Sequence, residues 1–209
     1  MTVKNIAIID YGLGNLHSVS HAFKTIGADA VITADTATIK NCRAIVLPGV
    51  GAFYRGIENL KAAGLFDLLL TETKKGKPFL GICLGFQLLF TRSEEHGISP
   101  GLDLIAGDVS RFSPGVKIPH MGWNQIKINP ARPELRDGIF KGIPEESYFY
   151  FVHSYRVIPQ DLRITAATTT YGEEFVSAIT KENLYATQFH PERSGMRGLQ
   201  ILKNFINLI

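Results

Sequence analysis

Short, continuous apolar runs recur through the first half of the chain, and helical patterns separate them. The runs cover residues 6–9, 30–33, 44–47 and 79–82. Runs of this length that are apolar throughout are typical of strands buried on both faces of a parallel sheet. The helical patterns lie at residues 19–26, 57–60 and 66–70. This alternation predicts an α/β fold with a mostly parallel central sheet, right-handed crossovers and flanking helices.

The second half of the chain has a different pattern, because β-rich runs follow one another without an amphipathic helix between them. These runs are residues 104–105, 125–128, 148–152, 164–169, 175–179 and 185–188. Such a meander either extends the main sheet antiparallel or forms a small second sheet. The chain ends in a helical pattern, with Leu199, Leu202, Phe205 and Ile206 on one face. The chain contains neither an internal repeat nor a linker, so we predict one domain over residues 1–209.

Composition and charge exclude several classes of protein. The 209 residues are 45% hydrophobic and 20% charged, which is typical of a globular domain and not of a disordered chain or a coiled coil. The net charge of +3 is too small for a nucleic-acid-binding surface. The densest basic cluster, Lys74, Lys75 and Lys77, is interpreted as the solvated end of a helix.

Cysteine usage and the chain start predict a cytoplasmic protein. Cys42 and Cys83 have no framework spacing, which favours a reducing compartment. Residues 1–6 lack the basic start, apolar stretch and cleavage site of a signal peptide. The longest apolar-rich run, residues 79–90, is too short to span a bilayer and contains Gln87. We therefore expect no membrane partner.

The strongest chemical pattern is Gly-Ile-Cys-Leu-Gly at residues 81–85, where a predicted strand runs directly into a predicted helix. This spacing is typical of a nucleophile elbow, with Cys83 as nucleophile. Gly81 and Gly85 are needed because a Cβ would clash in so sharp a turn. The helix start favours the thiolate, and the Leu84 N–H is placed to bind an oxyanion. A buried structural cysteine is the alternative, and the pattern alone leaves both open.

A partner for the cysteine occurs at the end of the last β-rich run. In extended backbone, residues two apart point the same way, so His190 and Glu192 can lie side by side. The carboxylate can then orient the imidazole while its other nitrogen takes the Cys83 proton. Taken alone, such a pair is more often a solvated strand end than a catalytic pair.

Two competing patterns are weaker. His17 and His21 lie one helical turn apart, but neither Cys nor carboxylate spacing completes a zinc set, so we predict no metal. Gly12 and Gly14 follow the first strand and Asp35 ends the second, as in a dinucleotide fingerprint. His17 occupies the third glycine position of that pattern, so we predict no nucleotide cofactor either.

Taken together, three segments resemble the class I (triad-type) glutamine amidotransferases. They are Pro-Gly-Val-Gly at 48–51, Gly-Ile-Cys-Leu-Gly-Phe-Gln at 81–87 and Phe-His-Pro-Glu at 189–192. Segments 10–15, 119–124, 150–155 and 187–195 are similar, more specifically, to the glutaminase subunits of imidazole glycerol phosphate synthase, and the 119–124 hexapeptide is the most specific of them. The resemblance covers most of the chain and implies a flavodoxin-like α/β fold.

That resemblance implies hydrolysis of glutamine to glutamate and ammonia. Cys83 would attack the carboxamide, His190 would protonate ammonia and then activate water, and Glu192 would orient the imidazole. Gln87 and Glu95 would hold the amino-acid end of the substrate, and the backbone of residues 153–155 its carboxylate. The implied oxyanion and substrate residues are Gly49, Val50, Gly51, Leu84, Gln87, Glu95, His153, Ser154 and Tyr155.

The resemblance also implies a partner, a (β/α)8-barrel cyclase that receives the ammonia in a heterodimer. The residues implied to face it are Asn15, Pro119, His120, Met121, Gly122, Trp123 and Arg193. Trp123 is either an interface anchor or a core aromatic. Phe86 and Arg193 depart from the family pattern, which more often has Met and Lys at these positions. The alternatives are a triad glutaminase of another pathway, of vitamin B6 or purine type, and an inactive scaffolding relative.

Overall fold

The structure is a computed structural model that describes residues 6–209, so the prediction made for residues 1–5 lies outside the described part of the chain. Its strands are β1 (Ile6–Ile9), β2 (Ala30–Thr33), β3 (Ala44–Gly49), β4 (Phe79–Cys83), β5 (Phe90–Ser93), β6 (Ser99–Pro100), β7 (Ile105–Arg111), β8 (His120–Gln125), β9 (Lys127–Ile128), β10 (Tyr148–His153), β11 (Tyr155–Pro159), β12 (Thr165–Tyr171), β13 (Glu173–Lys181) and β14 (Leu184–Thr187). Its helices are α1 (Leu16–Thr25), α2 (Thr36–Asn41), α3 (Phe53–Ala62), α4 (Phe66–Lys74), α5 (Leu84–Gln87) and α6 (Gly195–Asn207). Short 3₁₀ turns lie at Pro133–Arg136, Leu162–Ile164 and Pro191–Arg193.

One large mixed sheet organises the described residues. Its main path runs β2-β1-β3-β4-β14-β13-β11-β7-β5-β6, with β12 paired to β13 and β9 to β12. The pairs along β2-β1-β3-β4-β14 are parallel, which confirms the α/β prediction. Beyond β14 the pairing is mainly antiparallel, while β8 and β10 form a separate antiparallel pair. The β-rich half therefore extends the main sheet and also adds a second one.

Three of the four apolar runs, in β1, β3 and β4, are fully buried because the sheet has a helical layer on each face, whereas β2 at the sheet edge is only half-buried. Successive strand residues point to opposite faces. Ile6 and Ile8 pack in the cluster that contains the apolar faces of α1 and α6. Ala7 and Ile9 pack in the other cluster, with α3 and α4. Each residue of β1 is fully buried, which explains why the run is apolar throughout and does not alternate.

Five strands and helices were not predicted from the sequence. Strands β5, β6 and β11 and helix α2 were missed, and residues 120–125 form strand β8, whereas the predicted run began at residue 125. Asp35 is the N-cap of α2 and accepts hydrogen bonds from the Thr38 N–H and hydroxyl, both at 2.7 Å. This capping role accounts for Asp35 without a nucleotide.

The helix that follows Cys83, as the elbow pattern predicted, is only one turn long. It ends after one turn because the carbonyls of Leu88 and Leu89 accept hydrogen bonds from the backbone of Leu102 and Leu104. These bonds divert the chain into β5. The contribution of a helix dipole at Cys83 is correspondingly small, since a macrodipole needs several aligned turns.

The basic cluster was also interpreted incorrectly at one position. The Lys77 side chain is 11% exposed and lies 2.8 Å from Glu72. Its ammonium also donates to the carbonyls of Ile39 and Lys40. Hydrogen bonds from Lys75 and Lys77 lower the pKa of Glu72. Lys77 thus anchors the loop before β4 and is not a solvated helix end.

Over residues 6–209, every helix is too short or too polar to cross a bilayer.

Candidate active site

Cys83 occupies a strained turn between β4 and α5. Its φ and ψ are 55° and −107°, a region that non-glycine residues rarely adopt. A Cβ on Gly81 would lie 2.9 Å from the Gly85 carbonyl oxygen, and a Cβ on Gly85 would collide with the carbonyl of Leu47. Both glycines are therefore required for the close approach of backbone segments, as the elbow pattern predicted.

His190 reaches the same edge of the sheet because β14 lies parallel to β4. Thr187 at the end of β14 is the register partner of Ile82, one residue before the elbow. His190 Nδ1 lies 2.8 Å from Glu192 Oε1, and the two side chains are 3% and 1% exposed. The contact is present, but the backbone conformation predicted for it is wrong. Pro191–Arg193 forms a 3₁₀ turn and not an extended segment.

Electrostatics favours a protonated His190. Burial lowers the pKa of its imidazole, but the Cys83 thiolate and the Glu192 carboxylate outweigh that effect and raise the pKa well above its usual range. His190 Nε2 is buried and makes no hydrogen bond of ordinary geometry, so the sulfur acts on it through charge and a loose contact. This arrangement can hold an imidazolium–thiolate pair and can pass a proton between sulfur and nitrogen.

A cavity of about 420 Å³ opens at Cys83. It is lined by Val50, Gly51, Cys83, Leu84, Gln87, Glu95, Pro119, Val152, His153, Ser154, Tyr155 and Arg193. The lining contains all of the predicted oxyanion and substrate residues except Gly49, which is the register partner of Cys83 on β3. A groove of about 450 Å³ elsewhere, between Gln125 and Glu174, is lined by neither cysteine nor histidine.

The two side chains predicted to hold the amino-acid end of a substrate are themselves held in place. Gln87 Nε2 donates to the Tyr155 carbonyl at 3.0 Å and to Gln188 Oε1 at 3.1 Å, which leaves its own oxygen as an acceptor. Glu95 Oε2 accepts from the Phe53 N–H at 2.6 Å, at the first turn of α3. A carboxylate and an amide oxygen in one cavity suit an ammonium group.

The comparisons with known proteins agree with this geometry. Residues 7–208 match the model of the family "Glutamine amidotransferase class-I". This chain belongs to that family. It is 47% identical to the imidazole glycerol phosphate synthase subunit HisH of Moorella thermoacetica, over 99% of this chain and 96% of the relative. It is 50% identical to the protein of the same name from Geobacter sulfurreducens, over 96% of this chain and 97% of the relative. The family resemblance inferred from the motifs is confirmed.

Solved structures show the same class-I amidotransferase fold. The PurLQS structure from Thermotoga maritima aligns with a TM-score of 0.75 at 19% identity and covers 99% of both chains. A crystal structure described as a glutamine amidotransferase aligns with a TM-score of 0.71 at 16% identity, over 97% of both chains. At these identities the likeness concerns the fold alone, and it agrees with the predicted architecture.

The residues predicted to face a partner separate into exposed and buried groups in this amidotransferase. Met121 and Trp123 are 62% and 56% exposed, so Trp123 is not a core aromatic. Asn15 and Arg193 are exposed as well, and Arg193 stacks 4.3 Å from the Tyr150 ring centre. Pro119 and Gly122 are half-buried.

His120 is a correction, because its side chain is 3% exposed and stacks between Phe151 and Tyr171. An imidazole in that position belongs to the subunit core and is not an interface contact. Neighbouring residues of β8 point to opposite faces of the strand, and the sequence pattern does not show which of the two faces is buried.

Several residues around the site were missed. Ser194 Oγ accepts from the Tyr150 N–H and donates to the His190 carbonyl at 2.6 Å, which ties the histidine to β10. Gln188 Nε2 lies 3.7 Å from Cys83 Sγ. Both residues stand in the 187–195 segment that carried the family resemblance, so the signal was present but had no assigned role. Tyr11 donates to the Pro48 carbonyl, directly before the glycine loop.

The histidine pair on α1 lies at the protein surface. His17 and His21 are both exposed. Among residues 6–209, no group of three His, Cys, Asp or Glu side chains is placed to hold a metal ion.

Proposed function

We propose that this protein is the glutamine-hydrolysing subunit of an imidazole glycerol phosphate synthase, acting in histidine biosynthesis. The observation that carries the proposal is the convergence of Cys83 with the His190–Glu192 pair at one edge of the sheet, beside a cavity of substrate size. The names of the HisH relatives support the pathway. We take residues 1–209 as one amidotransferase domain of a cytoplasmic enzyme.

In the proposed reaction, Cys83 Sγ attacks the side-chain carbonyl carbon of glutamine. The tetrahedral adduct collapses to a glutamyl thioester as His190 protonates the departing nitrogen, which leaves as ammonia. Water then adds to the thioester, with His190 taking its proton, and glutamate leaves as the proton returns to sulfur. Glu192 orients the imidazole and stabilises its charged form through the 2.8 Å contact.

The oxyanion of the adduct needs N–H donors beside Cys83. The Leu84 N–H at the elbow and the glycine loop of Gly49, Val50 and Gly51 are the groups we assign to it, because Gly49 pairs with Cys83 and the others line the cavity. Gln87 and Glu95 receive the substrate ammonium, and the backbone of residues 153–155 its carboxylate. His153 contributes backbone only, because its ring turns inward to His120.

We further propose a (β/α)8-barrel cyclase as partner, in a heterodimer that passes ammonia directly to it. The cyclase would yield imidazole glycerol phosphate and aminoimidazole carboxamide ribotide. The exposed side chains of Met121 and Trp123 support this assignment, because they are large, apolar and close to the cavity residue Pro119. With His120 removed from the set, the proposed contact residues are Asn15, Pro119, Met121, Gly122, Trp123 and Arg193.

Glutamate release by a Cys83→Ala variant, measured with the cyclase and its nucleotide substrate present, tests the proposal. We expect the rate to fall to background, because no other thiol lies in the cavity lining. Cys42→Ala is the matched control, since Cys42 is equally buried but ends α2. Undiminished glutaminase activity in Cys83→Ala would overturn the assignment of the nucleophile.

The rate measured alone, with cyclase, and with cyclase plus its nucleotide tests the partner. We expect weak activity in isolation and activation by the complex, because the Gly49–Val50 peptide can turn its N–H away until the partner's ligand binds. Equal rates in all three conditions would contradict the proposed complex and favour a glutaminase of another pathway.

A further inference from the structure

One carbonyl fixes the directions of an extended hydrogen-bond network beside the cavity. The Tyr155 carbonyl oxygen can only accept hydrogen bonds. It lies 3.0 Å from Gln87 Nε2 and 2.8 Å from His153 Nδ1. Both atoms must therefore carry a hydrogen, which sets the orientation of the Gln87 amide and the tautomer of His153.

The direction set at Gln87 is transmitted to the sulfur through Gln188. The Gln87 nitrogen lies 3.1 Å from the next amide and donates to it, so Gln188 must present its oxygen there. Gln188 Nε2 then faces Cys83 Sγ at 3.7 Å. Gln188 is fully buried, so solvent does not compete for its amide. The amide hydrogen is therefore aimed at the sulfur.

Cys83 Sγ consequently lies between an acceptor and a donor. The Val152 carbonyl oxygen is 3.8 Å away and can accept from the thiol. A thiolate has no proton to give to Val152 but can accept from Gln188. The geometry points to Gln188 as a hydrogen-bond donor that stabilises the reactive thiolate of Cys83, oriented for that task by Gln87 and the Tyr155 carbonyl. This inference rests on the proposed role of Cys83.

The opposite arm of the network agrees with these directions. His153 Nε2, as the acceptor of its ring, lies 2.9 Å from His120 Nδ1, and His120 Nε2 lies 3.2 Å from Asn124 Nδ2. The same Asn124 nitrogen donates to the Thr170 carbonyl, which confirms that it bears hydrogens. The hydrogen-bond directions deduced from the Tyr155 carbonyl and from the Thr170 carbonyl therefore agree. The Tyr155 oxygen accepts from both Gln87 and His153.

The pH dependence of Cys83 alkylation by iodoacetamide, read by mass spectrometry of the Cys83 peptide, tests the inference. In Gln188→Met, which keeps the length of the side chain but loses the donor, we expect the midpoint to move up by about one pH unit, because a hydrogen bond to the charged form is lost. With the cyclase present, we expect kcat for glutamine to fall about tenfold with KM little changed.

Thr187→Val is the matched control, because Thr187 is a buried neighbour whose hydroxyl donates to the Phe189 carbonyl and not to the sulfur. We expect its alkylation midpoint to equal that of the unchanged protein. A folded Gln188→Met protein with an unshifted midpoint overturns the inference. If that variant does not fold, the unchanged protein is studied by NMR. The chemical shifts of the Gln188 side-chain amide protons should then change with pH around the alkylation midpoint. Chemical shifts that do not depend on pH overturn the inference.

The two proposals fail in distinguishable ways. Alkylation reports the sulfur alone, so an unshifted Gln188→Met midpoint leaves the glutaminase proposal intact. Glutaminase activity in Cys83→Ala would instead remove the catalytic role of the sulfur while leaving the alkylation result in force.

Discussion

Gly49 and Cys83 are register partners at the carboxyl ends of β3 and β4. A Cβ on Gly49 would collide with Tyr11 Oη and lie 2.9 Å from Leu84 Cβ. The glycine loop after β3 and the elbow after β4 therefore touch because the two strands are adjacent and parallel. In an open parallel sheet the carboxyl ends of the strands form the usual ligand edge, and here that edge holds both the thiol and the loop assigned to the oxyanion.

Substitution of Gly85 by alanine should strongly destabilise the protein. The new Cβ would collide with the Leu47 carbonyl, a backbone atom at the sheet centre that cannot move aside. We expect a loss of about 3 kcal/mol or more in the free energy of unfolding, measured in urea. Gly64→Ala is the control, with open space around it and a φ of +68°. It should lose only about 1 kcal/mol, from backbone strain. Equal losses at both positions would refute the steric reason.

Substitution of Glu192 by glutamine tests the orienting carboxylate. The change removes one of the groups that raise the His190 pKa, so that pKa should fall, as followed by imidazole NMR. We expect kcat to drop roughly 10²- to 10⁴-fold, because the ring loses its orientation and its charge partner. Glu146→Gln, in an exposed loop, should leave both quantities unchanged. A normal kcat in Glu192→Gln would show that the carboxylate is dispensable.

The buried pair His120 and His153 should make the protein sensitive to acid. Burial lowers the pKa of His120 to about 4 and that of His153 to about 3, against 6.5 for an exposed ring. Below pH 6.5 the two imidazoles therefore bind protons in the unfolded chain but stay neutral in the folded protein. The stability that depends on the neutral rings is complete above pH 6.5 and is lost progressively as the pH falls to about 4 for His120 and to about 3 for His153.

His120→Phe measures that effect, because phenylalanine can keep the stack between Phe151 and Tyr171 without titrating. We expect its free energy of unfolding to fall less steeply with decreasing pH between 6.5 and 4 than that of the unchanged protein. Parallel pH profiles for the two proteins would count against the neutral histidine pair.

Substitution of Trp123 by alanine should weaken the cyclase complex without unfolding the subunit. The side chain is 56% exposed, so its removal costs little core packing. As an aromatic anchor it should be worth about 2 kcal/mol of binding, or roughly a 30-fold rise in Kd, measured by calorimetry with the cyclase. Leu162→Ala, at a residue 66% exposed, is the control. An unaltered Kd for Trp123→Ala would place the interface elsewhere.

The parallel half of the fold was predictable because its information is local. A strand such as β1, covered on both faces, requires apolar residues throughout, and the short length of the run favours a strand over a buried helix. Strand β5 was missed because its identity depends on partners distant in sequence: β7 pairs with it, and residues 102–105 capture the carbonyls that would have continued α5.

The site divides in the same way. Cys83 and the His190–Glu192 pair could be proposed from local patterns, a Gly-flanked elbow and a two-residue separation, and the family resemblance then joined them into one site. The role of Gln188 was not, since its amide meets a sulfur 105 positions away and its orientation follows from a carbonyl on another strand. His120 was misplaced for a similar reason: its burial is decided by Tyr171 and Phe151, which the sequence does not show as neighbours.

The Tyr155 carbonyl also restricts where protons can travel. To carry a proton along His153 and His120 by successive hops, each ring would have to exchange its donor and acceptor nitrogens. The His153 lone pair would then face the lone pairs of the Tyr155 oxygen, 2.8 Å away, which is repulsive. The hydrogen-bond network of His153 and His120 can therefore position side chains but cannot conduct protons. In the proposed reaction, protons consumed and released at Cys83 are therefore exchanged locally through His190 and water, and they do not reach strand β8 along the histidine pair.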